Sequence, residues 1–94
     1  MSNKAEEFYQ RLREELAVTS SWPTEYLYKF IVPSSPEKVI EVENAFNNMG
    51  AVIHTNQSKT GKYTSVSINV MMEDPDAVIA KYLELSNIEG IISL

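Results

Sequence analysis

A single α+β sandwich of element order β-α-β-β-α-β, preceded by one extra helix, is the fold class that these 94 residues predict. Three observations carry it. Two segments read as strands: EYLYKFIV is rich in aromatic and β-branched residues, and YTSVSINVMM alternates a core face with a polar one. Two others, opened by Ser35-Pro36 and Asp74-Pro75, repeat apolar residues at helical spacing. The turn-forming KTGK joins the second strand to the third. That order matches the split βαβ, ferredoxin-like unit, with four antiparallel strands and two helices on one face.

The extra helix comes first. From about Lys4 to Ala17, the residues Ala5, Phe8, Leu12 and Leu16 form one stripe, and Tyr9 lies beside it. VTSSWP ends it, and Pro23 holds Trp22 extended. Trp22 is expected to anchor this helix to the rest of the fold. The boundaries are thus residues 1–21 for the helix and connector, and 22–94 for the sandwich.

The first strand puts Tyr26, Tyr28, Phe30 and Val32 on one face and Leu27, Lys29 and Ile31 on the other. The second helix starts with Ser35 as N-cap and Pro36 in its first turn. Its stripe is Val39, Val42, Phe46 and Met49, and Gly50 is placed to end it. Residues Ala51–Ser58 form a weaker strand, and Gly61 supplies the left-handed position of the hairpin turn. In the third strand, Thr64, Val66, Ile68, Val70 and Met72 face the core. Tyr63, Ser65, Ser67, Asn69 and Met71 face away. Asp74 caps a helix through Val78, Ile79, Tyr82, Leu83 and Leu85, and IEGIISL makes a short last strand.

Composition excludes several functions. There is no cysteine, so disulfides, thiolate metal sites and cysteine nucleophiles are out. Thirteen acids against eight bases leave a net charge of −5, which repels a phosphate backbone, so no DNA partner is expected. No apolar run reaches the roughly 18 residues of a membrane span. The N-terminal residues lack a signal-peptide h-region, so the cytoplasm is the expected address.

Gly61-Lys62 resembles part of a phosphate loop but fails its pattern. Asn56 stands where the first glycine belongs, Tyr63 replaces the hydroxyl residue, and a strand follows instead of a helix. His54 is the only histidine, and no ligand spacing surrounds it. Neither a metal nor another cofactor is expected, and no paired acid and base or nucleophile motif is visible, so the chain reads as non-enzymatic.

The outer sheet face is more informative. Lys29, Tyr63, Ser65, Ser67 and Asn69 form its polar set, the candidate ligand-binding residues. Leu27, Ile31 and Met71, together with Trp22, are the candidate interface residues. Three readings stand. The face is simply solvated, as one side of an antiparallel sheet often is. It is covered by a second copy or by the N-terminal helix. Or it holds a small anion, with Lys29 as the charge and Ser65 and Ser67 as donors.

WPTEYLYKFIVP, the helix after it, and SKTGKYTSVSI together resemble the YbeD-like proteins, a family of small bacterial domains. The shared features are the aromatic-Pro pair, Tyr28-Lys29, and Ser58, Gly61 and Tyr63 through Ile68. The resemblance covers about Trp22 to Leu94. It implies a fold similar to the ACT regulatory domains and no assigned activity. ACT domains bind amino acids or other small effectors, often at dimer interfaces, and commonly carry a glycine after the first strand. Here that loop is Pro33-Ser34-Ser35-Pro36, with no glycine, so no ligand position carries over.

The expectation is a small regulatory domain that binds a small molecule or a protein partner through its sheet face. The alternative is a structural interaction or dimerisation module without a small ligand. RNA binding on the open sheet is a third class, disfavoured by charge.

Overall fold

The computed structural model describes residues 4–94. Seven elements follow in order: α1 (Lys4–Thr19), β1 (Thr24–Pro33), α2 (Pro36–Asn44), β2 (Val52–Gln57), β3 (Tyr63–Met72), α3 (Pro75–Leu85) and β4 (Ile92–Ser93). The four strands make one antiparallel sheet of order β2-β3-β1-β4. The fold class read from the sequence is the one observed.

Alternation along the two central strands divides the sheet into a dry face and an open one. Tyr28, Phe30 and Val32 of β1 and Val66, Ile68, Val70 and Met72 of β3 are buried under Val42 and Phe46, and under Val78, Tyr82 and Leu85 of α3. Thr64 is the one buried polar residue of this set, and its hydroxyl pairs with the Ser34 hydroxyl at 2.8 Å. That bond supplies the partner a buried hydroxyl requires.

Local chemistry explains most boundaries. The Asp74 carboxylate accepts from the Ala77 amide at 2.7 Å, an N-cap that satisfies one orphan donor of α3. Gly61 has φ +75° in the hairpin turn. Ser35 occupies the N-cap position of α2, but its hydroxyl makes no capping bond; its carbonyl takes the Lys38 and Val39 amides instead.

Two expectations are corrected in extent. The second helix stops at Asn44, short of Met49. Residues beyond it close tighter turns, with Phe46 and Asn47 amides bonding three residues back, and Asn48 takes φ +62°. Lys81 of α3 explains the stop: its ammonium takes the Ala45 carbonyl and lies 5.3 Å from the Phe46 ring centre. A carbonyl engaged from outside has no need of another helical turn. The last strand is only two residues, because the Gly90 turn delivers the chain to β1 late.

Gly90 is constrained twice. Its φ is +83°, and a Cβ there would lie 2.9 Å from Pro33 Cγ. Gly90→Ala is expected to cost about 2 kcal/mol, since left-handed backbone alone costs about 1–2 kcal/mol for a residue with Cβ. A urea melt would show it as a lower midpoint at unchanged slope.

α1 joins the helical layer. Tyr9 stacks on Tyr82 with ring centres 6.4 Å apart, and Arg13 meets Asp76 at 2.5 Å. Leu12 and Leu16 pack against the core, though no α1 residue is fully buried. The helix therefore lies beside α3 and does not cover the outer face of the sheet. That removes the chain's own N-terminal helix from the three readings of that face.

Candidate functional site

The outer face is built by strand register. Across β3 and β1, Ser67 stands opposite Lys29, Ser65 opposite Ile31, Asn69 opposite Leu27 and Met71 opposite Glu25. Across β3 and β2, Ser67 stands opposite His54, Ser65 opposite Asn56 and Asn69 opposite Val52. Residues directly opposite share a face. One row thus runs His54, Ser67, Lys29 across three strands.

All five residues of the polar set, Lys29, Tyr63, Ser65, Ser67 and Asn69, share this face. Leu27, Ile31 and Met71 share it as well. Trp22 does not join them. It packs on the core side, and its indole N–H donates to the Leu16 carbonyl at 3.0 Å, so its place is at the end of α1.

The polar residues differ in what folding already uses. The Ser65 hydroxyl donates to the Asn56 carbonyl across the strand gap at 3.2 Å. Tyr63 closes the hairpin, its amide reaching the Ser58 hydroxyl and its carbonyl accepting the Ser58 amide. By contrast, the Lys29 ammonium, the Ser67 hydroxyl, the His54 ring and the Asn69 amide make no side-chain hydrogen bond among the described residues. Ser67 and Asn69 are half-buried; Lys29 and His54 are exposed. The row is a line of unengaged donors.

Sequence reasoning left His54 out of this set. A signal was present. A hairpin closed by Ser58 and Tyr63 pairs residue 54 with residue 67, so the histidine had to face the serine next to Lys29.

Apolar groups flank the row on both sides. Leu27, Val52 and Met71 form one patch; Ile31, Ile92 and Tyr63 form the other, Ile92 facing Ile31 across the β1–β4 pair. The second patch borders a hollow of about 230 Å³ lined by Ile31, Asn56, Gln57, Ser58, Tyr63 and Ser65. A larger concavity, about 540 Å³, lies on the opposite side of β2, between Ser34, Ser35, Val39, Ile40 and Thr55. There the Ser34 and Thr64 hydroxyls satisfy one another and no cationic side chain lines the walls, whereas the outer face presents Lys29.

Among the described residues, no group of three or more His, Asp or Glu can hold a metal ion, and no helix is long and apolar enough to cross a membrane.

A family model described as "Protein of unknown function (DUF493)" matches residues 17–94. No curated protein matches the chain. Among solved structures, the ACT domain of a GTP pyrophosphokinase from Chlorobium tepidum is similar, with a TM-score of 0.52 at 9% identity. The match covers 76% of this chain and all of that one. Identity this low speaks for the fold alone.

Proposed function

The chain belongs to the DUF493 family, and on that footing we propose that it is a non-enzymatic regulatory domain whose outer sheet face captures an anionic group, a carboxylate or phosphate, borne by a small molecule or by a protein partner. The observation that carries this reading is the row His54, Ser67, Lys29, with its unengaged donors between two apolar patches. A free ammonium and hydroxyl match the acceptor oxygens of such a group, and charge-assisted hydrogen bonds are the stronger ones. The apolar patches suit the ligand's hydrocarbon part. The chemistry of the row supports a binding reading over a catalytic one: Ser67 makes no hydrogen bond to His54, so no base activates its hydroxyl.

Amide chemical-shift mapping against a panel of amino acids and anionic metabolites tests the proposal. At least one ligand is expected to move the Lys29, Ser67 and His54 resonances, and Lys29→Ala is expected to abolish the response. A silent panel, or shifts confined to the helical layer, would sink small-ligand binding at this face.

A further inference from the structure

The outer face differs in charge from everything else in the molecule. Its strand positions carry one base, Lys29, against a single acid, Glu25, at the far end, and the hairpin turn at its edge adds Lys59 and Lys62. The helices and remaining connections hold five bases against twelve acids. An acidic protein has thus left one face almost free of acid. That same face holds Leu27, Val52, Tyr63, Met71 and Ile92, half of the ten large hydrophobic residues exposed among the described residues.

Resting on the reading above, we propose that the outer face docks an acidic amphipathic helix of a protein partner, with a carboxylate against Lys29 and apolar side chains on the two patches. Spacing argues for a helix. Along β1, Leu27 and Ile31 each lie two residues from Lys29, about 6.6–6.8 Å away along the strand at its usual rise. Four residues of helix rise about 6 Å. An apolar residue, an acid four positions on, and a second apolar residue four further therefore match patch, row and patch. A second copy fits less well, since a two-fold axis through the row sets the Lys29 ammonium groups of both copies against each other.

The probe is a capped peptide of about four helical turns carrying leucine, glutamate and leucine at that spacing, with a control in which lysine replaces the glutamate. The glutamate peptide is expected to shift Leu27, Ile31, Ser67 and Met71 amides and to bind at least about tenfold more tightly than the control. Lys29→Glu is expected to reverse the preference, a readout that a merely hydrophobic surface would not give. Equal affinity for the two peptides, or shifts on α1 and α2 instead, overturns the proposal. So do shifts that follow protein concentration alone, which place a second copy there, and shifts caused by a single-stranded RNA oligomer while the peptide is silent. If small anions move Lys29 and Ser67 but the peptide does not, the helix-docking inference fails and the anion site stands. If neither moves them, both fail.

Discussion

Tyr28→Ala is expected to remove about 3–5 kcal/mol of stability, as truncating a large buried aromatic does. A domain of this size holds only about 5–15 kcal/mol in total. Tyr28 has no exposed surface, and its ring lies 4.7–5.7 Å, centre to centre, from Tyr26, Phe30, Phe46 and Tyr82. It thereby joins β1 to α3 and to the turn after α2. Its hydroxyl donates to the Val78 carbonyl at 3.1 Å. Tyr28→Phe keeps the ring and loses that bond, so it is expected to cost only about 1 kcal/mol. Urea melts of both variants separate the packing contribution from the polar one. Similar losses in the two would contradict the cluster's role.

Alkali is expected to unfold the protein through the same cluster. Burial, with the neighbouring Tyr26 phenol adding to it, holds the Tyr28 phenol far above the ordinary tyrosine range. Burial, then the hydrogen bond shared with the Tyr26 phenol, does the same for Tyr82. Both phenols therefore stay protonated in the folded state while the unfolded chain ionises near pH 10. Below that pH their contribution is fully present; above it, the unfolded state binds fewer protons and stability falls. Each group contributes a slope of at most about 1.4 kcal/mol per pH unit, so stability falls progressively above about pH 10. Denaturation followed between pH 8 and 12 checks this. Tyr82→Phe is expected to cut the alkaline slope by about half, and an unchanged slope would refute the assignment.

Much of this core was legible in the sequence because strand periodicity is strict. Once Tyr28, Phe30 and Val32 are assigned inward, Lys29 must face out, and the same alternation in β3, with Val66, Ile68 and Val70 inward, carries Ser65, Ser67 and Asn69 to the same side. The place of α1 was not legible. Its stripe of Ala5, Phe8, Leu12 and Leu16, with Tyr9 beside it, would suit either side of the sheet, and in the fold Tyr9, Leu12 and Leu16 pack inward while Phe8 is left exposed. The choice rests on Tyr9 meeting Tyr82 and Arg13 meeting Asp76, contacts between residues distant in sequence that no periodicity encodes. The early end of α2 was hidden for the same reason, because Lys81 of another helix takes the Ala45 carbonyl.

The brevity of β4 has a dynamic consequence. It pairs with Phe30 and Ile31, and the Leu94 amide reaches the Lys29 carbonyl, so β1 has neighbours on both sides only in its second half. Ladder alternation turns the backbone of Glu25 and Leu27 toward the side that β4 does not reach. Amide protection along β1 is therefore expected to be tight from Phe30 to Val32 and loose at Glu25 and Leu27, whose neighbours Thr24 and Tyr26 pair with β3. Local opening of the sheet should begin at that corner, under the Leu27 patch, and leave the Lys29 row for later.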